Sequence, residues 1–482
     1  MCRCGFTFGV LGGALFLCLA AVSAFAQFGP HDPFGTDQKV APAPHLRWES
    51  ASPLPQVPAI GSAEEIARDP PLSLPELTEF ALRNNPRTRQ SWLAARAAAA
   101  GVGIERAEFL PSISGTLGIN RTRQVSNTSG AIVPWQTRYG PSISFSYVLF
   151  DFGASSLRVE ASEYRLLAAN LAHNRALQDV VFLVEQAYYR LLGTDALVRI
   201  NEQSLKNAET VLEAARKRRE SGLATVADVY RAETLVAQAR LNLTRSRGEL
   251  EKNRGQLATV VGLPVNQSIA VKSLAVPLRI ADVESSVADM LTRAKATRPD
   301  IVAAEAQVRA ARANALAVER AGRPSIEVTG GAGRTAFSDD RPAASNYAIG
   351  LSVRIPLFTG FRDTYSARQA QLQAQASAAN RDLLVKQAEI EVWQGYYDLK
   401  TATSSISSTE AQVRSAEQSA QATLARYQSG FGNILDLTSA QQEESNARVQ
   451  RIQSYLDWFT TLARLQVAVG ASDLLKAAGG AQ

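Results

Sequence analysis

The sequence predicts a mixed α and β membrane protein built as an internal tandem duplication, with short paired β-strands and very long α-helices in each repeat. Three observations carry this expectation. Dipeptides recur at a fixed offset, alternating segments about ten residues long come in two pairs, and two proline-free stretches are rich in helix-forming residues.

Asn85-Pro86 recurs as Arg298-Pro299 and Leu110-Pro111 as Arg323-Pro324, both 213 positions apart. Later matches fall 208 apart: Leu149-Phe150 with Leu357-Phe358, Tyr188-Tyr189 with Tyr396-Tyr397, Ser221-Gly222 with Ser429-Gly430, Asp228 with Asp436, and Val261-Gly262 with Val469-Gly470. The offset falls by five between Pro111 and Leu149, so one connecting loop is shorter in the second copy. Two similar halves around a pseudosymmetry axis are expected.

Residues 1–26 read as a secretory signal, with Arg3, an apolar stretch from Val10 to Val22, and an Ala24-Phe25-Ala26 cleavage site. All three cysteines (Cys2, Cys4, Cys18) lie inside it, which leaves no cysteine for disulfide, thiolate or Cys-metal chemistry after cleavage. Cys18 follows Leu15-Phe16-Leu17, a poor match to a lipoprotein signal. Residues 27–71 carry nine prolines and read as an extended leader.

The strands come next. Ile113, Leu117 and Ile119 alternate with small polar residues, as do Ile143, Phe145, Tyr147 and Leu149. In the second copy Ile326 and Val328, then Tyr347, Ile349, Leu351, Val353 and Ile355, do the same. About ten residues of such alternation suits a tilted strand crossing an outer membrane. Connecting loops carry turn residues: Ser126, Asn127, Ser129 and Gly130 in one, Ser338, Asp339, Asp340, Arg341 and Pro342 in the other. Four strands cannot close a barrel, since the smallest have about eight, so a barrel here must be shared between chains.

No proline occurs from Ser142 to Leu263 or from Leu357 to Gln482. Ala154 to Arg219 spans 66 residues, a helix of roughly 100 Å, and Arg362 to Gln428 is its partner. Leu166, Leu171, Leu177, Val180, Val184, Ala187 and Leu191 form its apolar stripe, and Gly193 is a candidate kink. Gly222 and Gly430 are expected to end these helices in the left-handed conformation. Thr225 and Asn433 are N-cap candidates, each with an aspartate three residues on. Each repeat thus holds a helical hairpin with a tight tip.

No nucleophile–base pair or metal constellation is visible, so no enzyme, catalytic residue, cofactor or metal site is expected. Arg and Glu are interspersed along the helices, which reads as solvated faces and not as a nucleic-acid surface, despite a formal charge of +6. His173 stands alone on a helix. Gly330-Gly331-Ala332-Gly333 lies on strand alternation and lacks the Lys-Ser/Thr of a phosphate loop. The two Tyr-Tyr pairs read as packing residues.

The duplication, the Pro356–Gly360 run Pro-Leu-Phe-Thr-Gly, the weaker Leu149–Gly153 run Leu-Phe-Asp-Phe-Gly, and the paired tips together resemble the TolC-like outer membrane efflux protein family over roughly residues 72–470. The resemblance implies a homotrimer in the outer membrane of a Gram-negative bacterium. Each chain would give four strands to a twelve-stranded barrel, continued by a periplasmic α-helical coiled-coil barrel. It implies an export channel for small molecules or secreted proteins. The partners would be outer-membrane lipid, a periplasmic adaptor protein, and an inner-membrane pump or ABC transporter. A periplasmic coiled-coil scaffold without a pore is the alternative. The divisions expected are 72–262 and 285–470 for the repeats, 263–284 for the linker between them and 471–482 for a tail.

Carried over by position, Gly222, Leu223, Gly430 and Phe431 would be the adaptor-contact tips. Asp436, Tyr427 and Asp228 would belong to the pore constriction. Asp228 and Asp436 also fit as helix-capping acids. Two departures stand out: Ser439 where a second pore acid is expected, and Gly432 where a linking arginine is expected. The closed-state latch is expected to be weaker here or built differently.

Overall fold

A computed structural model describes residues 71–123, 132, 135–267, 269–272, 286–338 and 341–470. The signal, nearly all of the leader, loop residues Ser126, Asn127, Ser129, Gly130, Asp339 and Asp340, most of the inter-repeat linker and the tail lie outside the described residues. Within them the two repeats match element by element. The first contains α1 (Leu74–Asn84), α2 (Pro86–Arg106), β1 (Ser112–Thr122), β2 (Gln136–Phe150), α3 (Ala154–Glu220) and α4 (Val226–Val261). The second contains α5 (Val287–Thr297), α6 (Pro299–Ala321), β3 (Ser325–Phe337), β4 (Ala344–Arg354), α7 (Arg362–Gln428) and α8 (Ile434–Val469). Both long helices have 67 residues and both return helices 36.

Pro86 and Pro299 open α2 and α6, where a missing N–H costs no hydrogen bond. The residue before each proline ties that helix start to the end of the return helix. Asn85 Nδ2 donates to Val260 O at 2.7 Å, and Arg298 Nη1 donates to Ala468 O at 3.2 Å. The duplication therefore persists at the level of single hydrogen bonds, with an amide in one copy and a guanidinium in the other.

α3 runs unbroken through Gly193. A Cβ there would sit 2.3 Å from Leu456 Cδ1 of α8, so the glycine serves close helix approach and not the kink expected from the sequence. Val180, Val184, Leu191, Leu257 and Val261 pack with Leu77 and Ala81 of α1 in one core cluster. Val392, Leu399, Ile406, Trp458, Phe459 and Leu465 form its counterpart. Tyr189 stacks on Phe459 at 4.5 Å and so bridges the halves. Tyr188 is buried and donates to Lys272 O at 2.9 Å, whereas Tyr397 remains half-exposed beside Trp393.

The strands form one antiparallel sheet in the order β1-β2-β3-β4. Ile113 pairs with Phe145, Phe145 with Gly330, and Gly330 with Ile349, which fixes one apolar face across all four strands. The other face is polar, with Ser114 against Ser144 at 2.8 Å and Ser146 donating to Glu327 at 2.7 Å. Leu117 is 83% and Ile349 81% exposed, so among the described residues nothing covers the apolar face. Among the described residues the outer edges of β1 and β4 pair with no further strand. β2 starts at Gln136, ahead of the alternation that begins at Ile143; Gly140 and Pro141 drop out of the β2–β3 ladder while the register continues. A bulge between Val148 and Phe150 puts Phe150, not Leu149, opposite Ile326.

The strand-to-helix junctions hold the non-glycine residues with positive φ found among those described: Phe152 at 55° and Phe361 at 63°. The left-handed region costs an L-residue about 1–2 kcal/mol.

Glu185 of α3 is 5% exposed and has no hydrogen bond to any other described residue, burial alone acting on its carboxyl. Desolvation pushes its carboxyl up to about 7. Between about pH 4.5 and 7 the folded chain holds a proton that the unfolded chain has released. Stability is thus full below that window and falls as pH rises through it, by about 3 kcal/mol. Glu185→Gln should flatten this dependence and raise the thermal midpoint at about pH 8. A midpoint profile identical to the parent's would show that the group ionises without penalty.

Candidate functional site: the paired hairpin tips

Each long helix ends in the same way. Gly222 N–H donates to Arg219 O at 2.9 Å and Leu223 N–H to Arg218 O at 2.8 Å. In the second repeat Gly430 N–H donates to Tyr427 O at 3.2 Å and Phe431 N–H to Arg426 O at 3.0 Å. These are Schellman closures, with glycines at φ 70° and 91°. In that motif the residue after the glycine usually folds back onto an apolar partner three residues inside the helix. Here those partners are Arg218 and Arg426, and Leu223 and Phe431 are left 69% and 84% exposed. Gly262-Leu263 makes the same turn (Leu263 N to Ala258 O, 2.8 Å) yet buries its leucine to 5%. The outward apolar residue is therefore a property of the tips and not of the motif.

Helix resumes after each tip at a capped start. Thr225 Oγ1 and backbone N–H both donate to the Asp228 carboxylate, each at 2.8 Å. The Thr225 N–H first, then its hydroxyl, Arg231 and Arg218, hold that carboxyl below its usual range, against burial, which outweighs the hydroxyl taken singly. Asn433 Oδ1 accepts from Asp436 N–H at 2.8 Å, but the Asp436 carboxylate is exposed and bonds to nothing else described. Asp228 is thus spent on its own helix start, while its counterpart faces solvent.

Tyr427 is 3% exposed and leaves the second hairpin to pack with Val211, Ala215, Val229 and Ala232 of the first. Arg218 lies over its ring at 4.7 Å and donates to its carbonyl oxygen. The Tyr427 hydroxyl and Arg218 Nε are buried without hydrogen-bond partners among the described residues. Burial pushes the phenol up, opposed by Arg218 and reinforced by Asp228. The structure therefore brings Tyr427 and Asp228 together around Arg218, and among the described residues no side-chain contact joins Asp436 to them. Sequence reasoning missed Arg218, although its equivalence with Arg426 three residues before each terminal serine was visible. Gly432 closes the second tip with a bond to Arg426 O at 3.0 Å. A Cβ there would lie 2.9 Å from Tyr427 N, so a linking arginine does not fit this tip. The guanidinium lying over Tyr427 is that of Arg218, from the other hairpin.

A sheet that among the described residues is apolar on one exposed face and open at both edges, joined to two equal helical hairpins with outward tips, defines a tunnel subunit that is incomplete as a single chain. The profile of the outer membrane efflux protein family matches residues 77–263 and 290–471, and the chain belongs to that family. Protein CyaE of Bordetella pertussis is 28% identical over 417 residues, covering 85% of this chain and 84% of that one. The toluene efflux pump outer membrane protein TtgC of Pseudomonas putida is 26% identical, covering 83% of each. The crystal structure of the Campylobacter jejuni CmeC outer membrane channel shares the fold with a TM-score of 0.75 at 17% identity, covering 91% of this chain and 97% of that one.

Proposed function

We propose that three copies of the chain form an export channel in the outer membrane, sharing a twelve-stranded barrel whose α-helical continuation lies in the periplasm. The carrying observation is the four-stranded sheet, whose apolar face is uncovered and whose two edges are unpaired among the described residues. The channel works with a periplasmic adaptor that docks at Leu223 and Phe431, and with an inner-membrane transporter. A relative named as a toluene efflux pump protein supports small-molecule cargo. Tyr427, Arg218 and Asp228 hold the two hairpins of one chain together at the tip, and Asp436 faces the tunnel.

The test combines fractionation, crosslinking and conductance. The protein should remain with the outer membrane, give a trimer ladder in mild detergent and conduct in planar bilayers. Release with the periplasm would favour the scaffold, and a conducting monomer would refute the shared barrel. Three converging Asp436 carboxylates should make the closed channel cation-selective and blocked by trivalent cations, and Asp436→Asn should weaken both effects several-fold. With Ser439 in place of a second acid, block should be modest and readily relieved by salt. If Asp436→Asn conducts as the parent does, the carboxylate does not face the tunnel.

A further inference from the structure

The chain packs its first long helix on its second return helix and leaves both halves of the equivalent contact unused. Glu185, Tyr189 and Gly193 lie on one face of α3 at four-residue spacing. Tyr189 stacks on Phe459 of α8, and Gly193 admits Leu456 of α8. At the 208-residue offset the same face of α7 carries Trp393, Tyr397 and Thr401. The positions of Leu456 and Phe459 on α8 fall at Gly248 and Glu251 on α4. Glu185, Gly193 and Phe459 are buried. Their counterparts are not: Trp393 is 46% exposed, and Thr401 and Glu251 are exposed as well. A Cβ on Gly248 would meet nothing within 4 Å, whereas its counterpart Leu456 is packed against Gly193.

Sizes are reversed between the two pairs. Within the chain a glycine of the long helix takes a leucine of the return helix. In the unused pair the long helix offers Thr401 and the return helix offers Gly248. Each pair sets a small residue against a larger one, which lets two helices approach closely without a void. The crossed pairings lack this match. Gly193 facing Gly248 would leave a hollow, and Thr401 facing Leu456 would be overfilled.

We propose that Gly248 of one copy receives Thr401 of the next, and that the reversed sizes fix the order in which hairpins meet around the ring. α3 takes α8 of its own chain, and α7 takes α4 of the neighbouring copy, burying Trp393 and Tyr397 beside Glu251. Each copy uses its α7 face on one side and its α4 face on the other, so the contact is heterologous and its repetition closes a ring. A second copy is the occupant because the chain already shows the seated form of this contact between α3 and α8. The crossed pairings are rejected by shape, which is how one interface is told from its near twin. This rests on the shared-barrel reading above.

Two measurements test it. Residues 27–482 contain no cysteine, so a Gly248→Cys/Thr401→Cys pair reports this contact alone. Oxidised in mild detergent, it should give disulfide-linked dimers and trimers, and neither single variant should. A Gly193→Cys/Leu456→Cys pair should instead close within one chain. A double-cysteine trimer that yields no linked chains overturns the contact, whatever other substitutions do to folding. Gly248→Leu should lower trimer yield several-fold, and adding Thr401→Gly, which copies Leu456 on Gly193 into the joint between copies, should restore it. Helicity of Gly248→Leu should match the parent's, because the new side chain meets open space within the chain and leucine favours helix over glycine. Parental trimer yield in Gly248→Leu overturns the socket. A parent that forms no trimer refutes the shared barrel itself, and that control separates the two readings.

Discussion

Replacing Arg298 with alanine should cost about 3 kcal/mol of folded stability, the low end for breaking a buried ion pair because Glu391 is partly solvated. Arg298 is 3% exposed. It grips Asp300 through Nε and Nη2 at 3.0 and 2.6 Å and reaches Glu391 at 2.7 Å. Burial acts to raise the Asp300 carboxyl, but the hydrogen bonds and charge of Arg298, with Arg175 nearby, bring it below its usual range. Without the guanidinium, two acids face each other across the joint between α7 and α6, and the last turn of α8 loses a donor. Arg298→Asn restores the amide that Asn85 supplies in the first repeat but leaves the acids unpaired, so it should recover little. Adding Asp300→Asn and Glu391→Gln to it should recover most of the loss. Thermal midpoints of the purified oligomer measure this series. An Arg298→Ala midpoint equal to the parent's would show that the joint is held by packing alone.

Gly430→Arg should reduce export to the level of cells lacking the protein while trimer yield is retained. The site is permissive in space, with nothing within 4 Å of an added Cβ, so the structural penalty is the left-handed φ alone, about 1–2 kcal/mol. The functional penalty is larger because the new side chain projects from the surface that carries Phe431. Gly262→Arg is the contrasting variant: its Cβ would lie 2.8 Å from Asn84 O, and folding itself should fail. Susceptibility to exported toxic compounds, read beside trimer recovery from membranes, separates the two. Export unchanged in Gly430→Arg would place the adaptor on another surface.

Much of the fold was legible because it is local and periodic. Ala154 to Arg219 differs from the observed α3 by one residue, since a long stripe of apolar residues without proline admits few other structures. The tips were legible because a glycine ending a helix has a known geometry. The start of β2 lies ahead of the alternation that begins at Ile143, and pairing with β1 carries the strand through Gly140 and Pro141. Arg218 escaped because it meets Tyr427 across 209 residues of chain. Glu185 escaped because a carboxylate on an amphipathic helix is ordinarily solvated, and only the packed helices around it show otherwise.

The contact of Arg218 with Tyr427 has a consequence for symmetry. The counterpart of Tyr427 in the first repeat is Arg219, and that of Arg218 in the second is Arg426. A guanidinium cannot be laid on a phenol ring a second time. In a ring of three chains the six hairpins are matched in length yet joined by two kinds of contact in strict alternation. Such a mouth is threefold and never sixfold, and it should loosen by thirds, each chain's pair of hairpins moving as one leaf.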